Sequence, residues 1–576
     1  MVRCPPSPPK KPAVQHMDGY TSQRAPSPNG VDGQADLLMN LHALHADEFA
    51  YLSQRLTDFE RRCEESWTYR SYAMFKQFVY FVAKTWIKAA WELVFLPTTL
   101  MDRVALILLT SVATVIMTLL LPWCILCKVP ISGKIFDYCS RRFFNGLSIV
   151  NASYPSMFED LTYEQIRAAK THLSQPIEQS PSRVHRRVFN LDASKLLLQC
   201  AALIYERTSS TTHRAAATAL AHSTGPRRRQ TEWGLSEARP GAHIAQFCGD
   251  AGADAVMEEL HGHSKEENTI CSIAHDELGL TYTTISELNC IGSAFCGLFW
   301  DPHDTFIIVV FKGTTPSDFA EWTTDFTFQL REAGLWLRGF GKVHDGFMDK
   351  IFPKRIPPGS RMPYSTIVES IKAISTRLLE ESPGKKINVW ITGHSLGCAL
   401  ASLVYSRLVS EPHEYGENIV IRDAYLFASP ILCDVESANA FNGRMNHFSD
   451  FPRTMWRITN GKDCVATSLP DAGDNAEWSL SPWNLFSYAH LGCEIKLRDA
   501  PGRCEVSGSH VTPGTHVIVE SEFHFDVAKG QESPSRAALI ALQDLPVIGR
   551  LLAHAPGFYW ASLQGVGAGT CEWVYD

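Results

Sequence analysis

A chain of 576 residues is too long for one compact core, and ~150 residues per domain gives a loose prior of three or four units, fewer if one is a large α/β domain. Apolar residues at 45% and charged residues at 20% exclude wholesale disorder. The 53 basic and 61 acidic side chains leave a formal charge of −8, which argues against nucleic acid as a partner because phosphate binding needs a basic face. Sixteen cysteines are too dilute for a small disulfide scaffold. No paired CxxC motif occurs, and Cys124 and Cys127 stand inside an apolar run, so a metal or redox site is not expected there; no metal-ligand cluster stands out elsewhere, and no cofactor is expected. Cys493 and Cys504 are the pair to test for a disulfide.

In chain order, residues 1–35 carry seven prolines among Ser, Gly, Gln and Lys and bury too little apolar surface to offset ordering entropy, so a disordered segment is expected. A helical membrane-associated region follows over 36–150. Its centre is residues 104–127, twenty-four consecutive uncharged residues bracketed by Arg103 and Lys128. As a helix this run measures ~36 Å, enough to cross a ~30 Å hydrocarbon core. Before it, Phe75, Phe78, Val79, Val82, Trp86, Ala89 and Leu93 share one helical face opposite Lys76, Lys84 and Lys88. That pattern suits a helix lying in the membrane interface; a packed soluble helix and a second span with snorkelling lysines are the alternatives. The flanking charges differ by one and assign no orientation. An Asn151-Ala152-Ser153 sequon follows the span, usable only on a lumenal side. The expectation is a single-pass membrane protein, with or without an extra interfacial helix, in an endomembrane such as the endoplasmic reticulum.

Residues 151–188 read as a polar connector with some helix, and a large domain begins near Phe189. Its first element, 191–205, has helical periodicity, and 207–240, with Arg227-Arg228-Arg229, reads as a surface insertion. From 295 onward strand and helix patterns alternate. A hairpin is signalled by 297–300 and 305–311 around Asp301-Pro302-His303-Asp304. Helices are predicted over 365–380 and 398–408, with strands at 386–391, 424–428 and 455–459. This alternation predicts an α/β domain with a largely parallel central sheet.

The chemistry-bearing motif is Gly393-His394-Ser395-Leu396-Gly397 between a strand and a helix. The chemistry needs a serine thrust out on a tight turn, and Gly393 and Gly397 remove side chains that would collide as the helix folds back. Ser395 is therefore the candidate nucleophile, and His394, fixed beside it, is a packing residue of the turn. A second buried strand runs Ile307 to Phe311 and ends in Lys312-Gly313-Thr314. It offers a backbone N–H at the same sheet edge, which with the N–H of Leu396 gives a two-donor oxyanion hole.

With these residues the chain from about 189 to its end resembles the class 3 lipases, the fungal lipase-like branch of the α/β-hydrolases. Six motifs carry the resemblance in order: Phe311-Lys312-Gly313-Thr314 followed by Trp322 and Asp325; Val343-His344-Asp345-Gly346-Phe347; the elbow; Phe427-Ala428-Ser429-Pro430; Asn460-Gly461-Lys462-Asp463; and His490-Leu491-Gly492. The resemblance implies an α/β-hydrolase domain over 189–576. It further implies Ser395 as nucleophile, Asp463 as the acid orienting the base, and Thr314 with Leu396 as oxyanion donors. Asp463 also fits on its own terms, standing in a turn just after the strand at 455–459; Asp434, Asp471 and Asp474 compete and read as loop charges. Cys398 and Lys312 depart from the family's commoner Gly and Arg without removing a reacting atom.

The base is open among the late histidines. His554, followed by aromatics, is taken first, His524 next and His516 third; His490 matches a structural histidine of the family. Phe319, Trp322 and Phe326 are lid candidates, with a core-facing helix as the alternative. The implied function is a membrane-anchored serine hydrolase acting on acyl esters of glycerolipids. Triacylglycerol lipase-like action comes first, diacylglycerol lipase or phospholipase A1 are alternatives, and an inactive lipase-like scaffold is the rival of another class. The expected partners are the glycerolipid substrate and the bilayer.

Overall fold

A computed structural model of the chain describes residues 67–95, 99–129, 155–176, 185–207, 265–287, 295–354, 362–447, 453–460, 463–467, 488–498, 516–520, 546–564 and 571–575, with isolated positions between 131 and 138. The expected disordered segment 1–35, the sequon, and residues 208–240 of the insertion lie outside the described residues.

The strands are β1 (His185–Phe189), β2 (Thr281–Glu287), β3 (Phe295–Trp300), β4 (Phe306–Phe311), β5 (Leu330–Glu332), β6 (Lys342–His344), β7 (Ile387–His394), β8 (Ile419–Phe427), β9 (Met455–Asn460), β10 (Cys493–Arg498), β11 (His516–Glu520) and β12 (Cys571–Tyr575). Eight of them form one sheet in the order β11-β10-β9-β8-β7-β4-β3-β2. From β4 to β11 all pairings in it are parallel, whereas β2 and β3 close one edge antiparallel. The alternating sequence pattern predicts this largely parallel α/β sheet, and the resemblance implies its α/β-hydrolase form. Asp301 to Asp304 turns the chain between β3 and β4, where the hairpin is expected.

Helices cover both faces of the sheet, and this explains why the central strands read as unbroken apolar runs. Every residue of β4 and β7 is buried. Ile307, Val309 and Phe311 enter one core; Phe306, Ile308 and Val310 enter the other. The first core is closed by α7 (Asp345–Ile351), α8 (Pro363–Glu381) and α9 (Leu396–Ser410). The second is closed by α3 (Tyr163–Ser174), α4 (Leu191–Leu203), α5 (Lys265–Asp276) and α12 (Pro556–Gln564). Helix α4 is buried at eleven successive positions, 193–203. Its Lys195 survives there by donating to the Gln564 side chain at 3.1 Å.

Residues 155–174, read from sequence as part of a connector, pack into this second core through Met157, Phe158, Leu161, Ala169 and Leu173. Polar bonds fix them to the sheet. The Leu173 carbonyl accepts from the Trp390 indole at 3.0 Å and from the Asn388 amide at 2.9 Å, and Asn388 also donates to the Gln175 carbonyl at 2.9 Å.

Ahead of this core stand α1 (Trp67–Phe95) and α2 (Leu100–Lys128), joined as a helical hairpin. Thr99 and Asp102 form a capping box that starts α2, and the Trp86 indole donates to Thr114 across the pair at 3.0 Å. Helix α2 is long and apolar enough to cross a membrane by length and composition. Two of the three lysines on helix α1 reach the hydrolase core, while Lys76 is exposed. Lys84 pairs with Asp345 of α7 at 3.5 Å, and Lys88 donates to the Leu330 carbonyl of β5 at 3.2 Å. Its apolar face is divided: Phe78, Val82 and Ala89 turn inward, while Phe75, Val79 and Trp86 are exposed.

Replacing Asn388 with alanine removes two buried donors from facing carbonyls, and an unsatisfied buried group costs ~1–3 kcal/mol. The expected result for Asn388→Ala is a lower urea midpoint at unchanged slope; an unaltered midpoint would show that α3 does not depend on this anchor.

Candidate active site

Strand β7 ends at His394 and α9 starts at Leu396, so Ser395 alone reverses the chain. Its backbone sits at φ 58°, ψ −129°, a region sparsely populated by residues with a Cβ. The turn is held by the Ser395 N–H on the Phe427 carbonyl at 3.0 Å and by the Cys398 N–H on the Ser395 carbonyl at 2.8 Å. Two glycines make it fit. A Cβ on Gly397 would overlap the Phe311 carbonyl, and one on Gly393 would lie 2.7 Å from the Gly397 carbonyl group. The Cys398 thiol has the carbonyls of Gly393 and Phe427 each within 3.0 Å, and burial pushes it well above the ordinary thiol range, so it stays protonated.

Parallel pairing sets Phe311 of β4 opposite Gly393 of β7. Two residues further on, the chain after β4 leaves the sheet at the level of the serine. This register brings Thr314 and Leu396, the expected oxyanion donors, to one edge.

His554 lies in the short link between α11 (Pro546–Leu552) and α12. Its Nε2 is 2.8 Å from Ser395 Oγ, and its Nδ1 is 3.0 Å from each carboxylate oxygen of Asp463. A carboxylate accepts, so Nδ1 carries the proton and Nε2 presents its lone pair to the serine hydroxyl. Asp463 follows β9 and is fully buried. It also accepts from the Val465 N–H at 2.7 Å and the Tyr559 hydroxyl at 2.6 Å. Burial would raise this carboxyl; the neighbouring His554, the Tyr559 hydroxyl and the Val465 N–H outweigh it and hold it below the usual aspartate range. It therefore stays charged at neutral pH.

The rival residues that are described lie elsewhere. Asp434 accepts from the Ser437 and Lys342 N–H groups, each at 2.9 Å, at the start of α10 (Val435–His447). Asp471, Asp474 and His524 lie outside the described residues, as do Gly461, Lys462 and Cys504. His516 begins β11, the outermost strand, four places from β7 and at the N-terminal end of a parallel set whose C-terminal end carries Ser395. His490 is buried just before β10.

A second set of residues holds the imidazole in place. His394 Nε2 is 2.7 Å from the His554 carbonyl, which can only accept, so His394 Nδ1 receives the Tyr205 hydroxyl at 2.9 Å. Burial, reinforced by His554 nearby, lowers His394 to about 3, so this bridge is neutral. Tyr559 accepts the Asn460 N–H at 3.0 Å while donating to Asp463, tying α12 to the end of β9. Sequence reading gave His394 a packing role alone and passed over Tyr205, whose position at the end of a buried helix carries no local signal. Tyr559 belongs to the aromatic run after His554, the one available cue.

The loop after β4 is pinned by α6 (Phe319–Asp325). Glu321, fully buried, accepts from the Lys312 ammonium at 3.2 Å and from the Thr315 N–H; Asp325 accepts the Thr314 hydroxyl at 2.6 Å. Burial raises both carboxyls to about 7. The lid candidates are Phe319, Trp322 and Phe326. They pack against Phe78, Phe81, Met117 and Leu121 of the hairpin.

Residues 308–472 match the family model described as Lipase (class 3). The chain is 29% identical over 176 residues to Phospholipase A1-II 3 of Oryza sativa subsp. japonica, covering 29% of this chain and 39% of that protein. It is 25% identical over 202 residues to Phospholipase A1-Ialpha2, chloroplastic, of Arabidopsis thaliana, covering 33% and 39%. The match thus spans about two fifths of the length of these curated relatives. Among solved structures, the Rhizomucor miehei lipase propeptide complex aligns at 19% identity over 57% of this chain and 80% of that one, with a TM-score of 0.29.

Unfolded His394 takes up a proton below about 6.5, which the folded residue refuses until about 3, so its contribution to stability falls as pH drops through that window. His394→Asn is expected to be less stable than wild type at pH 7. The gap should narrow toward pH 5 by up to ~1.4 kcal/mol per unit. A gap independent of pH in urea titrations would contradict a neutral buried imidazole.

Proposed function

We propose that the protein is a membrane-anchored serine hydrolase that cleaves acyl esters of glycerolipids. The observation that carries this reading is the aligned contact series from Asp463 through His554 to Ser395, with the last link at 2.8 Å. His554 takes the proton of Ser395 as its oxygen attacks the ester carbonyl. The resulting oxyanion is met by the Thr314 and Leu396 N–H groups, and the imidazolium by the charged Asp463. His554 then protonates the leaving alkoxide, leaving an acyl-enzyme, and activates the water that releases the fatty acid.

The family match supports ester hydrolysis by this site. Two curated relatives named phospholipase A1 support a phospholipid substrate beside the triacylglycerol-type one, with diacylglycerol as a third. Helix α2 supports the anchor, because an enzyme held at the bilayer meets an insoluble substrate at high effective concentration. The described triad residues oppose the inactive-scaffold reading.

Ser395→Ala is expected to abolish ester hydrolysis and labelling by a fluorophosphonate while the protein still sediments with vesicles. Wild-type turnover in this variant would sink the assignment. A panel of triacylglycerol, diacylglycerol and diacylphospholipid vesicles assigns the substrate class.

A further inference from the structure

The membrane hairpin and the loop that carries Thr314 meet on one seven-residue helix, α6. On its inner side, Glu321 binds the Lys312 ammonium and the Thr315 N–H, the residues flanking the donor loop. On its outer side, Phe319 lies 6.5 Å ring to ring from Phe78 of α1, and Thr323 receives the Gln77 amide at 3.2 Å. The loop itself is also tied to the hairpin. The Pro316 carbonyl accepts the Trp123 indole of α2 at 3.2 Å and the Trp322 indole of α6 at 3.1 Å.

We propose that the α1–α2 hairpin sets the oxyanion loop through α6, with Glu321 as the positioning residue, so that the hairpin contributes to turnover and not only to attachment. The inference rests on the ester-hydrolase reading above. Two physical points carry it. A helix of two turns has no stability of its own, so α6 stands where its packing partners put it. An oxyanion donor works only within about 2.7–3.1 Å of the developing charge, so a loop displaced by an ångström loses transition-state stabilisation while ground-state binding survives.

The test uses full-length protein in detergent and a water-soluble short-chain ester, so that membrane recruitment does not limit the rate. Glu321→Gln and the hairpin variant Phe78→Ala are each expected to lower kcat at least ~10-fold at nearly unchanged KM, within the ~10²–10³ that loss of one oxyanion donor costs. The two acts share one helix, so the double variant should lose little more than the worse single variant. Wild-type kcat in Phe78→Ala, or losses that multiply in the double variant, would overturn the coupling. If Glu321→Gln does not fold, Phe78→Ala decides alone. Failure of the underlying reading is separate and visible: wild-type protein itself would neither hydrolyse the ester nor react with fluorophosphonate.

Discussion

One close backbone approach governs the site: the first turn of α9 rests directly on the end of β4. The contact between Gly397 and the Phe311 carbonyl leaves no room for a side chain. It fixes three things at once. It holds Ser395 in its strained conformation, sets the start of α9 directly after the serine, and brings the loop after β4 alongside. The strain is sustained because parallel strands on both sides of β7, at β4 and β8, over-determine where the turn must go.

The parts legible in the sequence were those encoded locally. The elbow, the strand ending in Gly313-Thr314 and the alternation from 295 onward each depend on spacing within a dozen residues, and the structure reproduces those elements within a few residues. The imidazole was harder. His554 is 159 positions from Ser395, so no periodicity links them; what joins them is the packing of α12 on α4 and the bonds of Tyr559 to Asp463 and Asn460. Glu321 was invisible for a different reason. A glutamate in a short helix reads as surface charge, and only the tertiary position of Lys312 makes its burial tolerable. The hairpin was read as a span beside an interfacial helix, because hydropathy reports which residues avoid water but not which protein surface replaces it.

That last point bears on how the hairpin meets lipid. Its inner side is specified by directional contacts, among them Lys84 with Asp345 and Trp123 with Pro316, whereas residues such as Leu108, Val112, Val115 and Leu119 stay exposed. Apolar contact with lipid is non-directional and carries no positional information. The polar bonds on the opposite side therefore define where the hairpin stands relative to the core, and the outward face supplies affinity for the bilayer under the membrane reading. A single apolar helix on a flexible tether would supply the affinity without the orientation.

Two of the carboxyl groups near the site, Asp463 and Glu321, meet different environments. Asp463 accepts from Val465, Tyr559 and the imidazole, and these together overcome burial and keep it charged. Glu321 sits beside one ammonium and one N–H, which do not overcome burial, and its carboxyl rises to about 7. The same functional group is thus held down beside the His554 imidazole and pushed up by burial beside Lys312. From one short helix, Glu321 reaches Lys312 and Thr315 while Phe319 packs against Phe78 of the hairpin.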